Sequence, residues 1–386
     1  MKYYMIAGEA SGDLHGSNLI KGLKAKDPDC QIRCWGGDLM KEAGGELYHH
    51  YKDTAVNGFV EVVTKLGKIF SNLKDCKRDI LEYNPDVVVL IDYPGFNFRI
   101  AEFAHNKGFK VFYYIAPKIW AWKENRGKRL KKYVDKLFII FPFEVDYFKN
   151  RWQIDAVYKG NPLLDSIDQY PYINEDKESF CNRMNSKYGT SLNPNEKYLA
   201  LLAGSRKSEI SYLLPVLLKT MKYFPGYKFL FAAAPSTPLS FYQEIIRKNG
   251  FSEDCMSIIY GETYSIMKHS DAAMISSGTA SLEAALVGVP QVVCYNASEL
   301  SYIIAKALVK LKYISLANLI ADKLIFKELL QHECNPEMIS DEVKRLLNDT
   351  PYREKMLKEY AEVRNLLGGG GASEAVAQAM IDELSK

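Results

Sequence analysis

Short apolar runs alternate with longer amphipathic stretches through the first part of the chain. Lys2 to Ala7, Gln31 to Trp35, Val87 to Ile91, Val111 to Ile115 and Leu137 to Phe141 have strand length and strand composition. Helix-length segments separate them, for example Leu14 to Lys26 and Arg99 to Lys107. This alternation predicts parallel sheet with helices on both faces. A second series runs through Lys197 to Ala203, Lys228 to Ala233, Ser257 to Tyr260, Ala272 to Ile275 and Gln291 to Tyr295. Between the two series, Asp165 to Asn195 is polar and rich in Asp, Asn, Ser and Tyr. The expected class is α/β, with two doubly wound, Rossmann-like domains facing a cleft. Residues 1–165 form the first, 166–195 a linker, and 196–367 the second. In 368–386, Gly368 to Gly371 make a hinge or a plain loop, and Ser373 caps a helix from Glu374 to Leu384.

One stretch repeats its apolar residues at helical spacing. Phe59, Val62, Val63, Leu66, Ile69, Phe70 and Leu73 recur within Val56 to Leu73, with Lys65, Lys68, Lys74, Lys77 and Arg78 among and after them. Packing against a sheet accounts for such a stripe, and so does presentation to a membrane interface. A second unusual stretch places Trp120 and Trp122 between Pro117, Lys118, Lys123 and Arg126, followed by Lys128, Arg129, Lys131 and Lys132. Aromatics among cations suit a lipid phosphate or a membrane surface, and nucleic acid less well because only one short stretch is basic. For most of the lysines a solvated helix face suffices.

Composition narrows the picture. The 386 residues suffice for two cores, and 47% hydrophobic with 25% charged residues is ordinary for a water-soluble globular chain. The net charge of +3 is too small to call for nucleic acid. Seven cysteines without paired short spacings point to a reducing compartment, and Cys30 with Cys34 lacks a second ligand pair for zinc. Met1 to Ala7 leads straight into a motif and does not read as a signal peptide. No run of eighteen apolar residues is present, so nothing is expected to span a membrane. A cytoplasmic protein touching a membrane surface is the expectation.

Candidate chemistry sits where strands run into helices. After Ala272 to Ile275 comes Ser276-Ser277-Gly278-Thr279-Ala280-Ser281-Leu282-Glu283, a small-residue turn opening a helix. Bare N–H groups and the helix dipole suit a phosphate there, and Glu283, one turn in, suits ribose hydroxyls. An ordinary strand–helix unit explains the same residues. Gly204-Ser205-Arg206-Lys207 repeats the arrangement, with Arg206 able to grip a diphosphate; a capped helix with solvated charges is the plainer account. In the first half, Gly8-Glu9-Ala10-Ser11-Gly12-Asp13-Leu14-His15-Gly16 follows the first strand. Its glycines form only a loose dinucleotide fingerprint, while Glu9, Asp13 and His15 offer sugar hydroxyls acceptors and a proton acceptor.

Six motifs in one order carry a resemblance over nearly the whole chain. They are Gly8-Glu9-Ala10-Ser11-Gly12-Asp13, Pro117 to Trp122, Phe141-Pro142-Phe143-Glu144, Gly204-Ser205-Arg206, Ser277 to Glu283, and Ile314-Ser315-Leu316-Ala317-Asn318. Together they resemble the lipid-A-disaccharide synthase family. The resemblance implies a GT-B glycosyltransferase fold. It implies transfer of 2,3-diacylglucosamine from its UDP derivative to the 6-hydroxyl of 2,3-diacylglucosamine 1-phosphate, with inversion. It implies no metal or other cofactor, the diphosphate being held by helix dipoles and Arg206. Glu9, Ser11, Arg206, Ser277, Gly278, Thr279, Glu283, Asn318 and Gln331 are then substrate-binding candidates. Acylated substrates bring Phe59, Val63, Leu66, Ile69, Phe70, Trp120, Trp122, Lys123 and Arg126 forward as an acceptor and membrane face. The protein would work as a peripheral enzyme on the inner face of the cytoplasmic membrane, with a homodimer left open.

The chain departs from the family pattern at two positions that matter. The family's Pro-Asp-Phe-Asn, whose Asp is a candidate base, is Pro94-Gly95-Phe96-Asn97 here, and its Gly-His is Gly160-Asn161. Asp13, His15 and Asp92 are the candidates for the base, with Glu9 behind them, and His15 or Asp13 is expected to take the proton. Two other readings remain open: an enzyme like UDP-N-acetylglucosamine 2-epimerase, and a non-catalytic relative that binds UDP-sugar or lipid. A dehydrogenase fits least, because no acidic residue ends a second strand as ribose recognition would require.

Overall fold

The computed structural model describes residues 1–54, 62–299, 302 and 311–386. The chain folds as two compact units, one of residues 1–165 with 369–386, the other of residues 166–368.

The first unit is built on seven strands: β1 (Lys2–Ala7), β2 (Gln31–Gly36), β3 (Glu46–His50), β4 (Val87–Ile91), β5 (Lys110–Tyr114), β6 (Lys136–Ile139) and β7 (Val157–Tyr158). They lie in the order β3-β2-β1-β4-β5-β6-β7, paired in parallel, with Tyr3 of β1 between Ile32 and Val87. Every residue of β4 is buried, as a strand covered on both faces requires, and such strands read as unbroken apolar runs. Tyr4, Ile6, Val88, Leu90, Tyr113 and Ile139 belong to one core, which also takes Leu73, Cys76 and Ile80 from the helix Val62–Tyr83.

The second unit contains β8 (Lys197–Leu202), β9 (Tyr227–Ala233), β10 (Ser257–Tyr260), β11 (Ala272–Ser276), β12 (Gln291–Tyr295) and β13 (Glu328–Leu330) in the parallel order β10-β9-β8-β11-β12-β13. Its core includes Tyr198, Leu202, Leu230, Ile259 and Ile275.

Residues 166–195 are not a linker. They belong to the second unit, and the helix Lys177–Tyr188 sends Phe180, Cys181 and Met184 into its core. The polarity that suggested a linker is a charge network. Arg183 bridges Glu175 at 2.6 Å and Glu262 at 2.7 Å, Lys187 reaches the same Glu262 at 2.8 Å, and Tyr170 donates to it.

The tail returns to the first unit. Its helix, Ala372–Leu384, packs on Ala10–Lys26 with Gly22 facing Ala377, where an added Cβ would come within 3.1 Å of the alanine methyl. Asp165, rather than Ser373, caps this helix. Its carboxylate accepts from the N–H groups of Gly371 (2.6 Å), Ala372 (3.2 Å) and Ser373 (2.9 Å).

Candidate active site

In each unit the strand order reverses at one place, and the loops at the carboxyl ends of the two strands concerned are where open α/β sheets bind ligands. In the first unit those strands are β1 and β4. Gly8 follows β1 and Asp92-Tyr93 follows β4, so two stretches 84 residues apart are brought together: a Cβ at position 8 would overlap the Tyr93 ring. Only glycine admits that approach.

Asp92 and Tyr93 both have left-handed backbones, with φ of 42° and 45°. For residues with side chains each such conformation costs about 1–3 kcal/mol and persists only where neighbours impose it. Here Tyr113 donates its phenol to the Asp92 carbonyl at 2.6 Å, and Asn97 Nδ2 donates to the same oxygen at 2.8 Å. The Asp92 side chain is half-buried at the strand end. Gly95, where the family carries a carboxylate, is exposed, and a Cβ there would meet nothing within 4 Å.

The other two base candidates are placed differently. Asp13 is 3% exposed, and its carboxylate accepts from Gly37 N (2.8 Å), Leu39 N (3.2 Å) and Met40 N (3.0 Å). It caps the helix Asp38–Glu42, so its oxygens are committed to backbone donors rather than turned to a substrate. His15 is buried in the helix Ala10–Lys26; burial lowers its imidazole to about 4 against the pull of Asp165, so it is neutral at pH 7. Glu9 and Ser11 stand exposed at the start of that helix, with Ser11 Oγ donating to Glu9 at 3.0 Å.

The tryptophan segment divides. Trp120 is half-buried; its indole N–H donates to Glu144 at 2.9 Å, and its ring meets Phe143 edge-on at 5.1 Å. Its polar edge is therefore spent inside the unit, and it is not a free membrane anchor. Trp122 is half-exposed with Lys123 Nζ 4.1 Å from its ring centroid, while Arg126 lies 5.5 Å from the Phe98 ring. On the helix Val62–Tyr83, Ile69 is 40% and Phe70 64% exposed, whereas Leu73 is in the core. Phe59 and the side chains of Val63 and Leu66 lie outside the described residues.

In the second unit the reversal falls between β8 and β11. After β8, Gly204 (φ 105°) turns so closely past Glu209 that a Cβ would lie 2.6 Å from its carboxylate. Glu209 in turn pairs with Arg206 at 2.9 Å, leaving the guanidinium largely exposed. After β11, Gly278 and Thr279 are exposed and Ser277 half-exposed at the start of the helix Thr279–Val287, and nothing lies within 4 Å of a Cβ at Gly278. Backbone donors at this helix start are open to a ligand. One turn on, Glu283 is partly buried and accepts from the Tyr264 phenol at 3.0 Å; burial raises its carboxyl despite that bond. A small recess beside this turn is lined by Glu209, Ser276, Ser277, Cys294 and Tyr295.

Asn318 and Gln331 hold loops. Asn318 is fully buried, donates to Phe326 O (3.1 Å) and Glu328 (2.8 Å), and accepts from Ile325 N (2.9 Å). Gln331 pairs with both backbone groups of Ala297, donating at 2.8 Å and accepting at 3.3 Å. Neither amide faces outward as a binding group. Sequence reasoning missed Tyr93, Tyr113 and Asn97 as a set; the Asp-Tyr-Pro break after an apolar strand was the one local signal.

Among the described residues no three His, Cys, Asp or Glu side chains gather as a metal-ligand set, and no helix is long and apolar enough to cross a membrane. Residues 3–380 match the family described as lipid-A-disaccharide synthetase. The chain is 36% identical to the lipid-A-disaccharide synthase of Geobacter metallireducens, over 99% of its own length and 97% of that protein. Among solved structures, it resembles UDP-GlcNAc 2-epimerase from Neisseria meningitidis bound to UDP-GlcNAc (TM-score 0.69, 14% identity, 99% of this chain and 100% of that one). It also resembles the glycotransferase of kitacinnamycin (TM-score 0.59, 14% identity, 99% and 98%). Both likenesses concern the fold, which is of the GT-B type.

Proposed function

The chain belongs to the lipid-A-disaccharide synthase family of glycosyltransferases, and from that premise we propose its substrates and the roles of its residues. The donor is UDP-2,3-diacylglucosamine and the acceptor 2,3-diacylglucosamine 1-phosphate. The products are the β-1,6-linked disaccharide 1-phosphate and UDP. The observation that carries this reading is the open helix start at Ser277 to Thr279, with Glu283 one turn beyond, in a chain matching the family over residues 3–380.

The step is a single displacement. The acceptor 6-hydroxyl gives its proton to a carboxylate as its oxygen bonds to the donor sugar carbon. The bond from that carbon to the diphosphate breaks on the opposite face, and UDP leaves with the electron pair. The carbon passes through oxocarbenium character, so charge stabilisation on the diphosphate lowers the barrier. In the second unit we assign that task to the N–H groups from Ser277 to Thr279 and to Arg206, with no metal, and ribose recognition to Glu283. In the first unit we assign the base to Asp92, because Asp13 is committed to backbone donors and His15 is buried. Glu9 and Ser11 are assigned to acceptor hydroxyls.

Acyl chains on both substrates favour work at a membrane surface. The exposed pair Ile69 and Phe70 supports peripheral docking on the cytoplasmic face, with Trp122 and Lys123 as a second contact.

The test is UDP release from UDP-2,3-diacylglucosamine in detergent micelles, with and without the acceptor. Acceptor-dependent release with a disaccharide phosphate as product is expected. Interconversion of UDP-N-acetylglucosamine without acceptor would instead place the activity with the epimerases whose fold it shares. Binding of UDP with no turnover would make the chain a non-catalytic relative.

A further inference from the structure

Tyr93 is held more firmly than a surface tyrosine needs to be. Its backbone is left-handed and follows another left-handed residue, whose carbonyl is pinned by Tyr113 and Asn97. Its ring lies against the bare Cα of Gly8 and stacks on Phe96, with centroids 5.5 Å apart and planes 23° from parallel. Backbone, ring face and neighbour together leave the phenol a single direction.

That hydroxyl does not end inside the core. The residue is half-buried, yet its oxygen is not among the buried polar atoms lacking a partner, and among the described residues nothing hydrogen-bonds to it. A rigid aromatic ring thus carries an O–H to the solvent at the point where the sheet order reverses. Glu9 stands nearby, since it follows Gly8, against which the Tyr93 ring lies; burial and then the Glu9 charge raise the phenol above its ordinary value, and like any tyrosine it is protonated and able to donate at neutral pH. A fixed O–H donor beside a carboxylate acceptor is the pairing that recognises a sugar hydroxyl, which both donates and accepts.

We propose that Tyr93, acting with Glu9, binds a hydroxyl of the acceptor sugar and sets the enzyme's selectivity for it. The inference rests on the glycosyltransferase reading above and adds to it a residue placed by strain and by the Gly8 approach. Phenylalanine at position 93 keeps the ring, the stack and the backbone and removes only the O–H, so it isolates the proposed bond.

Acceptor and donor kinetics in micelles, for wild type, Tyr93→Phe, Tyr93→Ala, Glu9→Gln and the double variant Tyr93→Phe with Glu9→Gln, test the assignment. Tyr93→Phe is expected to raise the acceptor KM about three- to tenfold, as loss of one hydrogen bond does, with donor KM and melting temperature unchanged. Glu9→Gln is expected to raise the same constant, and the double variant to lose less than the product of the two single losses. A Tyr93→Phe enzyme whose acceptor KM stays within twofold of wild type overturns the proposal, whatever becomes of the less conservative alanine variant. Failure of the functional reading shows differently, as wild-type protein that releases no UDP in response to acceptor.

Discussion

The indole N–H of Trp120 donates to Oε1 of Glu144 at 2.9 Å, and that carboxyl is 1% exposed. Glu144 also accepts from the N–H groups of Phe141 (3.1 Å) and Ile140 (3.3 Å). Burial outweighs these bonds and raises its pKa from 4.5 to about 7. The folded state then holds a proton that the unfolded chain releases above pH 4.5. The stability this contributes is present below pH 4.5 and is lost as pH rises towards 7, on the order of 3 kcal/mol at ~1.4 kcal/mol per unit. Glu144→Gln should remove that fall: its melting temperature, relative to wild type, should climb between pH 4.5 and 7. A constant difference across that window would show that Glu144 titrates normally.

His15 should act with the opposite sign. Burial lowers its pKa from 6.5 to about 4, so the unfolded chain takes up a proton that the folded one refuses. Stability from this source is full above pH 6.5 and is lost as pH falls towards 4. Measured against wild type, His15→Asn should gain in melting temperature as pH drops from 6.5 to 4. A variant that tracks wild type throughout would contradict the buried neutral imidazole.

Asp165 caps a helix more than two hundred residues further along the chain. Asp165→Ala should destabilise the first unit by about 2 kcal/mol or more, since helix caps are worth about 0.5–2 kcal/mol and this one meets three N–H groups. Asp165→Asn, which keeps an accepting oxygen, should lose less. Hydrogen exchange in residues 372–384 reads the effect directly: protection there should fall in the alanine variant before it falls in β1 or β4.

Ile69→Ser with Phe70→Ser should lower binding to anionic liposomes by about tenfold or more without changing the melting temperature, because both side chains are already exposed. Unchanged co-sedimentation would remove these two residues from any membrane contact.

For the base, Asp92→Asn should cut turnover by about a hundredfold or more with donor affinity kept. Gly95→Asp introduces the family's carboxylate into open space and should fold normally. If Asp92→Asn retained its turnover, the base would have to be sought elsewhere.

Strands buried on both faces announced themselves, because β4 and β8 are apolar runs that few other structures tolerate. Of the edge strands, β10 was legible at Ser257 to Tyr260, but β3, β7 and β13 were not. β3 reads Glu-Leu-Tyr-His-His and is half-exposed, while β7 and β13 have two and three residues, so neither periodicity nor length marked them. The helix start at Ser277 to Thr279 was legible because a small-residue turn after an apolar strand is set by a few consecutive residues. Asp13, Asn318 and Gln331 were not legible as loop-holding groups, since their partners stand 24, 7 and 34 residues away and a carboxylate or amide carries no mark of which donor it will meet. The supposed linker misled for the same reason: Glu262 neutralises Arg183 and Lys187 from 79 and 75 residues away.

The first unit is made from both ends of the chain. On the ribosome its seven strands emerge early, but the helix that covers Ala10–Lys26 arrives only after residues 166–368 have been synthesised. At about 5–20 residues per second that interval lasts roughly 10 to 40 s. During it the nascent first unit lacks the cover that Ala372–Leu384 gives to the Gly22 face of that helix, so its last piece of core closes only after the whole second unit has been made.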